Sequence, residues 1–72
     1  MADDVVVTID APDGLQRVLI VRRSDGCFTY RRQEQHMGGW SPPTIDAGIY
    51  DSADSAETEA RQRVPWLKAL SH

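Results

Sequence analysis

The sequence predicts an α+β fold: a small antiparallel β-meander of three to four strands, followed by one C-terminal helix packed on the sheet. Three observations carry this. Residues 5–10 (VVVTID), 15–23 (LQRVLIVRR) and 27–33 (CFTYRRQ) are rich in β-branched and aromatic side chains, the kind that pack well on a pleated surface. Short segments ending in Asp-Gly separate them, which is the composition of tight hairpin turns. After Asp51 the apolar spacing changes. Ala53, Ala56, Ala60 and Val64 recur at intervals of three and four, as on one face of a helix.

In chain order, residues 5–10 read as the first strand. In Ala11-Pro12-Asp13-Gly14, proline presets φ and glycine tolerates a positive φ, so the chain turns there. Residues 15–23 are the second strand. If Ala11 pairs with Leu15, Val7 faces Leu19 and Val5 faces Val21. Ser24-Asp25-Gly26 is the second turn, and its size decides the faces. A two-residue turn puts Phe28 and Tyr30 on the face of Val5, Val7, Leu19 and Val21. A three-residue turn puts them on the other, because a slip of one residue flips every side chain. The two-residue turn gathers the apolar residues together and is the expectation.

Residues 34–44 read as a loop, since Gly38-Gly39 and Pro42-Pro43 break both helix and ladder. Residues 45–50 can hold a short fourth strand. Asp51 and Ser52 suit the N-cap of a helix over residues 53–63, and Asp54 and Glu57 suit the positive end of its dipole. Pro65 ends that helix or kinks it, and can open a short turn over residues 66–70.

The chain of 72 residues has room for one domain, residues 1–72. A domain this small buries only about 60% of the surface its unfolded chain exposes, so its core is small. The alanine stripe covers one sheet face, and the other, with Val6, Val18 and Ile20, needs a second cover.

Charge is distributed unevenly. Residues 15–33 hold Arg17, Arg22, Arg23, Arg31 and Arg32 against the single acid Asp25. The remaining chain is acidic, and the net charge is −3. Two readings compete. In one, opposite charges meet in the fold and cancel. In the other, Arg22, Arg23, Arg31 and Arg32, with Tyr30 and Phe28 between them, form a basic, aromatic surface that contacts nucleic-acid phosphates.

The loop His36-Met37-Gly38-Gly39-Trp40 is read either as a binding loop anchored by Trp40 or as a tryptophan folded over the sheet edge. Cys27, His36 and His72 lack the close ligand pairs of a structural zinc site. Neither Cys27 nor His36 sits in a recognisable nucleophile–base context, and Asp51, Asp54 and Glu57 are a helix cap and a solvated face. No catalytic, metal or cofactor residues are assigned.

A single cysteine excludes an intrachain disulfide, and no apolar run approaches the roughly 20 residues of a membrane span. The start Met1-Ala2-Asp3-Asp4 lacks the basic region of a signal peptide, so the expected location is cytoplasmic and no membrane partner is expected.

The segment Gly48-Ile49-Tyr50-Asp51-Ser52-Ala53-Asp54-Ser55-Ala56-Glu57 resembles the last strand and helix start of AP2-type DNA-binding domains. It is also similar to the arm-binding domain of tyrosine recombinases. Both families place a three-stranded sheet before a helix and read DNA with arginines and aromatics on the sheet, so the resemblance implies nucleic-acid binding by Arg22, Arg23, Arg31, Arg32 and Tyr30. The chain departs from them in being acidic, with Asp3, Asp4 and Asp10 near the sheet. As a whole it also resembles short proteobacterial proteins that carry no assigned activity.

The sequence therefore leads to a non-enzymatic interaction module, either a homodimer or the binder of another protein. Its surface would be the uncovered sheet face near Val6, Val18, Ile20, Arg22 and Arg31. The alternative is nucleic-acid binding by the arginine-rich hairpin.

Overall fold

A computed structural model describes residues 3–70. Four antiparallel strands, β1 (Asp4–Asp10), β2 (Gln16–Arg22), β3 (Phe28–His36) and β4 (Gly39–Trp40), lie in one sheet in chain order. Two helices follow, α1 (Ala53–Arg63) and α2 (Pro65–Leu70). The α+β meander with a helical C-terminus is the expected fold, with a second short helix added.

The turn between β2 and β3 has three residues, so the expected two-residue turn is corrected. The amide of Arg23 donates to the Cys27 carbonyl at 2.7 Å, and the amide of Gly26 to the Arg23 carbonyl at 3.0 Å. Gly26 takes φ 86°, a left-handed conformation that a Cβ disfavours. Asp25 locks the turn by accepting the Cys27 amide at 3.0 Å. Asp13 does the same for the Leu15 amide in the first turn.

This turn size sets the register: Arg22 pairs with Phe28, Ile20 with Tyr30 and Val18 with Arg32. Phe28 and Tyr30 therefore share a face with Ile20 and Val18, and Leu19, Val21 and Thr29 share the other. In the first hairpin Ala11 donates to the carbonyl of Gln16 rather than pairing with Leu15. A bulge between Val5 and Val7 absorbs the difference, so Val5 still meets Val21, while Val7 meets Ile20 and not Leu19.

β3 runs on through His36, past the expected loop boundary. Met37 (φ 51°) and Gly38 (φ 84°) both turn left-handed, as a two-residue hairpin of the primed kind requires. β4 takes the place of the fourth strand expected at residues 45–50. That segment instead follows β3 loosely. Thr44 and Ala47 donate to the carbonyls of Arg32 and Tyr30, and Tyr50 makes an isolated bridge to Phe28. Methionine pays for its left-handed backbone about 1–2 kcal/mol, which asparagine largely avoids. Met37 is fully exposed and has no packing to lose. Met37→Asn is expected to raise stability by about 0.5–1 kcal/mol, read as a higher urea midpoint at unchanged slope.

α1 forms where the sequence places it. Ser52 is extended at the N-cap and its hydroxyl accepts the Ser55 amide at 3.1 Å. Ser52→Ala is expected to cost about 1 kcal/mol, and an unchanged thermal midpoint would mean the cap contributes nothing. Val64 breaks the helix in an extended conformation, as the residue before a proline prefers, and Pro65 opens α2. Ala56 and Ala60 are fully buried. They pack with Val64 and Leu67 against Val18, Ile20 and Tyr30, and Val7, Ile9, Phe28, Tyr50 and Trp66 flank this core.

Candidate interaction surface

The burial overturns the expected sheet-face site. Val18 and Ile20 are 0% exposed, beneath the two helices. Their parity with Tyr30 and Phe28, set by the three-residue turn, makes their face the core face. Arg22 lies at the rim of that same face, and Arg31 lies on the opposite one. Val6 sits at the bulge of β1 and is 44% exposed. The five residues proposed as one patch are thus spread over a core, two faces and an edge.

The second face has a cover, and it is not a helix. Its centre is Leu19, Val21 and Thr29, all buried. Arg17, Arg23 and Arg31 stand around them, as the register requires. Arg31 starts beside Leu19, and its guanidinium reaches Asp3 at 2.7 Å and Asp46 at 2.7 Å. Asp3 in turn accepts the Ser24 amide, beyond the far end of Val21. The Arg31 side chain therefore runs from beside Leu19 toward the turn end of this face, with its apolar stem on the sheet and its charge at the rim.

Arg23 continues this layer through Asp46 at 3.4 Å and Asp25 at 3.3 Å. Arg17 completes it. Its guanidinium pairs with Asp10 at 2.7 Å and lies over the Trp40 ring, 3.9 Å from the centroid. Trp40 is half-buried on this face, neither in the core nor a free anchor. The Arg31 guanidinium first, and the Ser24 amide second, hold the Asp3 carboxyl below its usual range. Arg31 is held above its own usual value by Asp3 and then Asp46.

The arginine hairpin is divided accordingly. Arg22 and Arg32 point to the helix side, and Arg23 and Arg31 to the other. Arg22 pairs with Asp4 at 3.0 Å, so three of these four arginines face an acid. Tyr30 is buried and stacks on Tyr50 at 6.3 Å, which removes it from any nucleic-acid surface. Arg32 is exposed and stands outside these ion pairs. One such cation neutralises about one phosphate, whereas duplex binders engage several.

Cys27 and His36 flank β3 at opposite ends, about 30 Å apart at 3.3 Å per residue. Asp51 accepts the Ser55 hydroxyl, and Glu57 pairs with Arg61 along the helix. Among the described residues no group of three His, Cys, Asp or Glu stands close enough to hold a metal. His72 lies outside them. No described helix is long and apolar enough to cross a membrane.

What the faces withhold, one edge offers. β3 is flanked on its outer side by β4 and by the returning segment of residues 44–50. β1 is the other border of the sheet, seven residues long, and no described strand lies on its outer side. Val5 is 53% exposed there and Val6 44%. The fold defines an α+β domain with an arginine-plated face and one open strand edge. Set against family models, curated proteins and solved structures, the chain matches none.

Proposed function

We propose that this protein is a non-enzymatic interaction module that takes up an extended segment of a partner protein along the open edge of β1. The observation that carries this is the edge itself: β-branched residues, two exposed valines and a ladder open on one side. An added strand gains main-chain hydrogen bonds along such an edge and reads side chains at alternate positions. The occupant is a partner segment and not a second β1. Antiparallel self-pairing about Val7 sets Asp4 opposite Asp10 of the copy, and like charges directly opposite destabilise a ladder.

A display library of extended peptides, panned on wild type and on Val6→Lys, tests the reading. A lysine on an edge strand obstructs pairing. Val6 is exposed, so the variant keeps its fold. Peptides that enrich on wild type and not on the variant are the expected result. Equal enrichment on both, or none on either, removes the edge as the site.

A further inference from the structure

We infer, resting on that reading, that the segment taken up by β1 carries two basic residues five positions apart, bracketing apolar or β-branched residues, and that Asp4 and Asp10 select it. The pattern comes from what already pairs with the inner side of β1. There Asp4 faces Arg22 and Asp10 faces Arg17, with Val18, Leu19, Ile20 and Val21 between the two arginines. The acids are six positions apart and the bases five, because the bulge at Val6 places one extra residue in β1.

The bulge has a second consequence. Arg22 lies on the helix side of the sheet and Arg17 on the arginine-plated side, so Asp4 and Asp10 also lean to opposite sides. In a regular strand only an odd spacing sends two side chains to opposite faces. A partner meeting both acids therefore needs an odd spacing, and five matches the span that β2 already covers. Each aspartate keeps more than half of its side chain exposed, 61% for Asp4 and 57% for Asp10. A base on the incoming strand would place each carboxylate between two cations, a ladder of opposite charges across three strands. The flank agrees in sign, since residues 3–14 hold Asp3, Asp4, Asp10 and Asp13 and no lysine or arginine.

Fluorescence anisotropy with three labelled peptides of identical flanks tests this on the intact protein. Their centres are KVTVTK, EVTVTE and KVTVTVK, which differ in end charge or in the spacing of the bases. The first is expected to bind at least about tenfold tighter than the second, given favourable pairs replaced by like charges at two positions. It is also expected to bind tighter than the third. In Asp4→Lys/Asp10→Lys, the order of the first two inverts. Comparable affinity of all three peptides, abolished by Val6→Lys, overturns the charge rule while leaving the edge as the site. No binding of any peptide, or binding indifferent to Val6→Lys, overturns the edge and the rule with it. Because the wild-type comparison needs no variant, an unfolded charge-swap protein leaves the test decisive.

Discussion

Ile20→Asp is expected to abolish the cooperative unfolding transition altogether. Ile20 is fully buried at the centre of the sheet, between Val7 on β1 and Tyr30 on β3. It packs in one cluster with Ala56, Ala60 and Leu67 from the helices. Replacing it forfeits roughly 2 kcal/mol of apolar burial. The carboxylate then sits in that cluster of apolar side chains, and an unpaired buried charge costs several kcal/mol more. A chain of this length has a total stability of about 4–10 kcal/mol, so the sum approaches or exceeds it. Ile20→Val removes one methylene, costs about 1 kcal/mol and should melt cooperatively at a lower temperature. Circular dichroism melts of the two variants check the assignment. An Ile20→Asp protein that melts within a few degrees of wild type would mean that the helices do not cover this face.

That Ile20 is core and not surface is where sequence and structure part, and the cause is local. Residues 18–21 read Val-Leu-Ile-Val, with no polar residue to mark which parity faces water. The faces then hang on whether Ser24-Asp25-Gly26 turns with two residues or three. The shared Asp-Gly composition suits either, and only the left-handed Gly26 and the Arg23–Cys27 pairing decide it. The helix was legible because its signals are local: a serine cap and alanines at helical spacing, next to a proline. β4 was hidden because a methionine occupies a left-handed position usually held by asparagine or aspartate.

The arginine plating carried a readable trace. Arg17, Arg23 and Arg31 are all odd-numbered on strands whose partners sum to an even number, so they share a face under the correct register. Their acids were not readable. Asp3 lies 28 positions from Arg31 and Asp46 lies 15, and such distances close only once the fold is known. The expectation that the second face needs a cover was physically sound. The cover is made of side-chain stems from the sheet itself, an option that a count of helices does not include.

Two substitutions of Arg31 separate what its stem does from what its charge does. Arg31→Ala removes two methylenes of the stem on this face, each worth about 0.8 kcal/mol, together with the guanidinium, and should cost roughly 1.5–2 kcal/mol. Arg31→Met keeps most of that length but neither ion pair. If the stem is what matters, the methionine variant should recover most of the loss, since ion pairs at a rim contribute little. Its acid limb should differ as well. Arg31 lowers the Asp3 carboxyl below its usual 3.8, and that contribution is present above the unfolded value and fades as pH falls through the folded one. Wild type should therefore lose stability below about pH 4 more steeply than Arg31→Met, in which Asp3 has lost the hydrogen-bonded cation that lowers it most. Urea midpoints from pH 7 down to pH 2, with the alanine and methionine variants side by side, give both readings. An Arg31→Met protein as unstable at pH 7 as Arg31→Ala would assign the cover to the ion pairs rather than to the stem.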